Sequence, residues 1–311
     1  MAPYVLSNEH DFAAFLDKHD TFLFDLDGVI WSGPRGDELT PNVSEAILLL
    51  RSMNKKLNWV SNNATKSRRQ YLAKFHALGL TSVKLEEIFT CGSATASYVK
   101  DVVLPSLPPE QRGIYLIGQE GLEEELREVG LDWTGGSEPG DATLMPLQDF
   151  SSITPDPTIG VVLFSFQMHF GYRMISKAYN YLGSNPGCKL VLTNDDATVL
   201  IPNGVCPGEG AMASVLYGAR KGLVPTIVGK PHQPLLDVVH KALDFDPART
   251  VMVGDRLETD ILFGKRGGVS TLLVLTGSSA LEDVELVPSE ERPDYIAGCV
   301  GDFLKAKPKG L

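Results

Sequence analysis

Thr21-Phe22-Leu23-Phe24-Asp25-Leu26-Asp27-Gly28-Val29-Ile30-Trp31 is the stretch that decides the fold. A short apolar run from Thr21 ends at two carboxylates one residue apart, and a glycine follows them. An apolar strand that stops abruptly at polar residues is expected in a parallel sheet, where ligands gather beyond the carboxyl ends of the strands. Working outward, Asn42 to Met53 places Val43, Ala46, Ile47, Leu49, Leu50 and Met53 at helical spacing, with Pro41 where a helix starts. Leu57 to Val60 predicts a second strand, broken by Ser61-Asn62-Asn63, and Ser67 to Leu78 predicts a helix that Gly79 stops.

The last third repeats the theme. Thr226 to Val228 predicts a strand of the same outer domain leading to Gly229-Lys230-Pro231, with a helix from about Pro234 to Leu243. Thr250 to Val253 leads to Gly254-Asp255, then a helix over Thr259 to Lys265 and a strand over Ser270 to Leu275. Strands alternating with helices predict an α/β fold, a parallel sheet flanked by helices. The middle, with candidate strands at Ile114 to Ile117, Ile159 to Phe164 and Lys189 to Leu192, reads as a second α/β unit inserted into the first. The expected domains are a core of residues 1–91 and 222–311 and an insert of residues 92–221.

Composition narrows the function. The 311 residues carry 28 Lys and Arg against 39 Asp and Glu, a formal charge of -11, with 43% hydrophobic and 22% charged residues. Those fractions are ordinary for a chain with a packed core. A nucleic-acid binder needs a basic face, and the strongest basic cluster here is the short group Lys66, Arg68 and Arg69. The four cysteines, Cys91, Cys188, Cys206 and Cys299, are widely spaced and read as reduced thiols. No basic start with an apolar run behind it marks a signal peptide, and no span of about 20 apolar residues marks a membrane helix. A cytoplasmic protein without nucleic-acid or membrane partners is the expectation.

The polar groups after the predicted strands are Asp25 and Asp27, then Ser61 and Asn62, then Lys230, then Asp255. Carboxylates, a hydroxyl, an amide and an amine on one rim make a set for phosphoryl transfer. Asp25 and Asp255 offer hard oxygen ligands to Mg²⁺, which prefers one or two carboxylates plus water and phosphate oxygens. A carboxylate then attacks phosphorus, and Asp27 protonates the leaving oxygen and later activates water. Gly28 lets the backbone turn beside the phosphate, Ser61 and Asn62 hydrogen-bond its oxygens, and Lys230 neutralises charge.

Phe24-Asp25-Leu26-Asp27-Gly28-Val29-Ile30-Trp31, Val60-Ser61-Asn62-Asn63-Ala64-Thr65-Lys66-Ser67-Arg68, Gly229-Lys230-Pro231 and Gly254-Asp255-Arg256-Leu257-Glu258-Thr259-Asp260 resemble, in order, the four motifs of haloacid-dehalogenase-like phosphatases. In the insert, Thr193-Asn194-Asp195-Asp196 and Pro207-Gly208-Glu209-Gly210 resemble the C2-type α/β cap of the 4-nitrophenylphosphatase and phosphoglycolate phosphatase branch. The resemblance covers nearly the whole chain. It implies a Rossmann-like core with an inserted cap, Mg²⁺, a cytoplasmic setting and a homodimer formed through the cap. It implies Asp25 as nucleophile and Asp27 as acid/base. The Asp27 backbone carbonyl joins Asp25 and Asp255 as a metal ligand, with Asp260 behind them. Two departures stand out: Ser61 replaces the more usual threonine, and Ser165-Phe166-Gln167 replaces Gly-x-Asp before the aromatic helix start of the cap. The missing carboxylate bears on substrate preference rather than on the chemistry.

The expected function is Mg²⁺-dependent hydrolysis of small phosphomonoesters, with 2-phosphoglycolate or a related metabolite and 4-nitrophenyl phosphate as substrates. The alternative is a pyridoxal phosphate or phosphoprotein phosphatase, which the core motifs do not separate because the core sees only phosphate. A non-catalytic phosphate sensor is expected to have lost Asp25 or Asp27. Gly208-x-Gly210-x-x-Ala213 is no dinucleotide fingerprint, since no clear strand leads into it and no acidic residue follows at about 20 positions. His232 reads as a surface loop histidine near Lys230, and Phe166, His169, Phe170 and Tyr172 read either as cap-pocket lining or as core packing.

Overall fold

The computed structural model describes residues 2–32, 36–143, 145, 149–151, 153–201 and 204–306. The chain folds into two compact units, Met1–Ser61, Tyr71–Phe89 and Lys230–Leu311 in the first and Asn62–Gln70 and Thr90–Gly229 in the second. Among the described residues no helix is long and apolar enough to cross a membrane.

The first unit is built on a seven-stranded sheet in the order Tyr4–Val5, Tyr295–Ala297, Ser270–Val274, Thr250–Gly254, Thr21–Phe24, Lys56–Ser61 and Ile88–Thr90. The pairings from Tyr4–Val5 across to Lys56–Ser61 are all parallel. Thr21–Phe24 is buried at every residue, as a strand covered on both faces must be. Its aromatic side chains continue into the neighbouring strand, with Phe22 stacked on Phe24 at 5.8 Å and Phe24 on Trp59 at 5.4 Å. Helices Glu9–Lys18 and Val43–Ser52 add Phe12, Phe15, Ala46, Ile47 and Leu50 to the same core. Register matters most for the site. Phe24 pairs with Val253 on one side and with Trp59 on the other, so Asp25, Gly254 and Val60 lie at one level of the sheet.

A histidine is buried in this core. His19 is fully buried; its Nδ1 donates to the Phe15 carbonyl at 2.9 Å, and its Nε2 has no partner among the described residues. Burial pushes its pKa down to about 4, and the nearby Lys18, Lys55 and Arg249 push the same way. The unfolded chain takes up this proton near pH 6.5. Between pH 6.5 and about 4 the unfolded state therefore binds more protons than the folded one, and stability is lost as pH falls through that window. His19→Phe removes the titrating group, so its Tm is expected to fall less than that of the parent from pH 6.5 to 4. Thermal melts at several pH values check this, and parallel curves for the two proteins refute it.

The second unit holds a five-stranded parallel sheet in the order Thr226–Ile227, Lys189–Leu192, Ile159–Phe164, Gly113–Ile117 and Thr134–Gly135. Ile159–Phe164 is buried throughout, and the helices Tyr172–Ser184 and Glu209–Ala219 pack Met174, Ala178, Ala213 and Leu216 into the core of this unit. Here the structure corrects one strand. Thr226–Val228 was expected in the outer sheet; instead Thr226 pairs with Val191 and Ile227 with Leu192, at the edge of the second sheet. A two-residue strand carries too little alternation to choose its sheet, so tertiary pairing chooses for it.

Candidate active site

Asp25 follows the interior strand Thr21–Phe24 of the first unit, and its backbone N–H donates to the Val253 carbonyl at 2.9 Å, which extends the sheet by one residue. Its carboxylate accepts from Lys230 Nζ at 2.5 Å. The same ammonium donates to Asp260 Oδ1 at 2.7 Å and to the Val60 carbonyl at 2.9 Å. Lys230 is 1% exposed, Asp25 8% and Asp260 1%, so this is a buried ionic cluster that joins the ends of two strands to the helical turn Leu257–Ile261. Asp255 is buried next to it, and carboxylate oxygens of Asp25, Asp255 and Asp260 all lie within 4.8 Å of one another.

Asp260 explains how this arrangement is held. Its Oδ2 accepts the backbone N–H groups of Asp255 at 3.2 Å and Arg256 at 3.1 Å, while Oδ1 faces Lys230. The chain after Asp255 opens its helix with a wide five-residue turn, Leu257–Ile261, before the regular turns of Leu262–Arg266. Such wide turns are common at functional sites. Asp260 thus uses Oδ2 to pin the loop that carries Asp255 and Oδ1 to hold Lys230.

Three carboxylates converge with one ammonium among them, and the electrostatics record the imbalance. Burial pushes Asp25 well above the ordinary carboxylate range, Lys230 pulls it back, and Asp260 and Asp255 raise it further. Burial, then Asp260, pushes Asp255 up to about 6 against the donors of Ser278. Burial works against the Lys230 ammonium, but Asp25 and Asp260 outweigh it and hold its pKa above the usual lysine value. In the short contact between them Lys230 is the donor and Asp25 the acceptor. The surplus negative charge on hard oxygen ligands fits a divalent cation such as Mg²⁺.

Asp27 is exposed on the loop beyond the strand, and its Oδ1 accepts the Trp31 indole N–H at 2.7 Å. Gly28, at φ +89, occupies the left-handed region, and a Cβ there would stand 2.6 Å from Asp255 Oδ2. Its carbonyl accepts from Thr276 Oγ1 at 2.5 Å. Ser61 ends the strand Lys56–Ser61 and is 1% exposed. The structure brings Asp25, Lys230, Asp255 and Asp260 into one cluster, with Gly28 against Asp255.

Asn62 is the first residue of the second unit. Its carbonyl accepts from Asn194 Nδ2 at 2.9 Å and from the Cys91 thiol at 2.7 Å, and its own amide donates to Asp196 at 3.2 Å. Asn194 and Asp196 belong to the Thr193-Asn194-Asp195-Asp196 segment singled out in the sequence.

Sequence reasoning missed three features. The Thr276–Ser279 loop holds Asp255 and Gly28: Ser278 N–H donates to Asp255 Oδ2 at 2.6 Å, and a Cβ on Gly277 would stand 1.9 Å from that oxygen. Its signal was present, since a Thr-Gly-Ser-Ser run leaves the apolar strand Ser270–Val274. Trp31 stood inside the first motif without a role. Glu209 was noted only for its motif, yet it is 2% exposed and accepts from Thr193 Oγ1 at 2.7 Å, Asn194 N at 2.9 Å, Asn194 Nδ2 at 3.0 Å and Phe166 N at 3.1 Å. Burial pushes its carboxyl up to about 8 against these donors.

The departure at Gln167 has a physical reading. Its side-chain amide donates to the Gly118 carbonyl at 2.6 Å and the Gly136 carbonyl at 3.3 Å. An ionised carboxylate has no proton to give and would repel both oxygens. Gln167 also lines a cavity of about 310 Å³ within the second unit, with Thr65, Gln119, Ser137, His169 and Met174. Of the candidate cap aromatics, Phe170 packs on Phe164 at 5.4 Å and Tyr172 is exposed. His232 is half-buried at the start of the helix Gln233–Ala242.

Residues 22–132 match a family model described as haloacid dehalogenase-like hydrolase, and residues 227–303 match a second, HAD-hydrolase-like model. The chain is 38% identical to a 4-nitrophenylphosphatase of Schizosaccharomyces pombe, over 93% of this chain and 95% of that one. It is 37% identical to phosphoglycolate phosphatase 2 of Arabidopsis thaliana, over 98% of each. Among solved structures, that of a glycerol phosphate phosphatase from Mycobacterium tuberculosis in complex with magnesium superposes with a TM-score of 0.73 at 26% identity, covering 93% of this chain and 77% of that one.

Proposed function

Because this chain belongs to the haloacid dehalogenase-like hydrolases, we propose that it is a Mg²⁺-dependent phosphatase that hydrolyses small phosphomonoesters through an aspartyl-phosphate. The observation that carries this reading is the buried cluster of Asp25, Asp255 and Asp260 around Lys230, with Asp27 two residues beyond Asp25. The relatives named as phosphatases support the reaction class.

Asp25 and Asp255 would hold the metal through their carboxylates, together with the Asp27 backbone carbonyl. When bound, the metal supplies positive charge that offsets repulsion between a carboxylate and an anionic phosphate. Asp25 attacks phosphorus through a carboxylate oxygen. Lys230 holds the nucleophile ionised and aimed, because its ammonium is itself fixed by Asp260 and the Val60 carbonyl. Asp27 gives its proton to the leaving oxygen and takes one from the water that later attacks the aspartyl-phosphate. Ser61 and Asn62 hydrogen-bond phosphate oxygens, and residues 92–221 act as the cap that selects the rest of the substrate.

The test is phosphate release from 2-phosphoglycolate, glycerol phosphate, pyridoxal phosphate, a phosphopeptide and 4-nitrophenyl phosphate, with Mg²⁺ and with chelator. Release from a small ester is expected to stop in chelator and to return on Mg²⁺ addition. Full activity in chelator overturns the metal assignment, and preference for pyridoxal phosphate or the phosphopeptide moves the substrate to the alternative class.

A further inference from the structure

We propose that Trp31 is a positioning residue for proton transfer, its indole N–H locking the Asp27 carboxyl in the orientation from which it serves the leaving group. The inference rests on the phosphatase reading above. An exposed aspartate on a loop samples several rotamers, whereas an acid/base group has to be held close to one productive geometry. Among the described residues Trp31 is the one hydrogen-bond donor to the Asp27 carboxyl, at 2.7 Å to Oδ1.

The donor is rigid. Trp31 is fully buried, stacked on Tyr71 at 6.1 Å with rings 9° from parallel, and edge-on to Phe75 at 4.9 Å. The turn from Leu26 to Trp31 returns the indole to Asp27: the Leu26 carbonyl accepts from Val29, Ile30 and Trp31, and the Trp31 carbonyl accepts from Gly28. Lys74 Nζ lies over the indole at 3.7 Å from the ring centroid. A cation there draws density from the ring and strengthens the N–H as a donor.

An indole has a single N–H. With Oδ1 engaged, the proton that moves is carried on Oδ2. As the Asp25 oxygen bonds to phosphorus and the phosphorus–leaving-oxygen bond breaks, that oxygen takes the Oδ2 proton and departs as an alcohol. Asp27 is left as carboxylate, ready to accept a proton from the attacking water. An alkoxide needs this proton and 4-nitrophenolate does not, so the two leaving groups report on it differently.

The experiment compares kcat/KM for 4-nitrophenyl phosphate with that for the alkyl phosphate hydrolysed fastest in the panel, in Trp31→Phe, Lys74→Met and Asp27→Ala. Trp31→Phe is expected to lose at least about 10-fold more on the alkyl ester than on 4-nitrophenyl phosphate, a fraction of the full acid/base contribution. Lys74→Met is expected to move the ratio the same way by about 2–5-fold, and it decides the matter if Trp31→Phe does not fold. Equal losses on both substrates in Trp31→Phe and Lys74→Met, with Asp27→Ala still discriminating, overturn the positioning role and leave the phosphatase reading intact. Equal losses in Asp27→Ala as well remove the acid/base assignment and this inference with it.

Discussion

Asp25→Asn is expected to lower kcat by about 10⁴-fold or more and to leave the fold unchanged. The asparagine is nearly isosteric, and its carbonyl oxygen still accepts the Lys230 ammonium that now sits 2.5 Å from Asp25 Oδ1. What it lacks is an anionic oxygen able to bond to phosphorus. Burial and then the neighbouring carboxylates raise Asp25, and a neutral side chain there removes both costs, so the thermal melt should not fall. Rapid acid quench of the parent enzyme with labelled substrate should trap label on the protein, and the variant should trap none. Near-normal turnover in the variant would end the nucleophile assignment, whatever became of the metal.

Lys230→Met should cost both activity and stability. The ammonium is bonded to Asp25, Asp260 and the Val60 carbonyl inside the protein. Methionine fills a similar volume but leaves the three buried carboxylates of Asp25, Asp255 and Asp260 without the Lys230 counter-charge. Removing one partner from a buried ionic group typically costs about 3–5 kcal/mol. The midpoint of urea unfolding should fall accordingly. Mg²⁺ should recover part of that loss, since it offsets the same negative charge, but little of the rate, since it does not orient the Asp25 carboxylate from the Lys230 side. An unchanged unfolding midpoint would mean that the cluster is not the electrostatic centre described above.

The clustering of the carboxylates was legible because a parallel sheet imposes a simple geometry. Strands predicted at Thr21, Leu57, Thr250 and Ser270 formed within a residue or two of their expected bounds, and residues that follow such strands must collect at one rim. Lys230 reached the cluster by a different route. The strand before it, Thr226–Ile227, belongs to the second sheet, and no local pattern in two residues announces that. Ser61 and Asn62 are adjacent in sequence but belong to different units, which only long-range packing decides. Glu209 was illegible for the same reason: an acid in a glycine-rich loop reads as solvated until Phe166, Thr193 and Asn194 arrive from other segments to bury it. Trp31 stood in plain view, but its contact with Asp27 depends on the turn made by Leu26 to Trp31.

The order of strands in the first sheet also bears on how the protein is made. Thr21–Phe24 lies between Lys56–Ser61 and Thr250–Gly254, and Tyr4–Val5 pairs with Tyr295–Ala297. On the ribosome, at about 5–20 residues per second, Thr21–Phe24 waits on the order of ten seconds or more for its second neighbour. Meanwhile Thr90–Gly229, the long continuous stretch of the other unit, has already emerged. The nascent chain therefore carries an apolar strand with one edge unpaired while a later-synthesised segment is free to fold first. Such edges are templates for mispairing, so the yield of active protein depends on what shields Thr21–Phe24 during that interval.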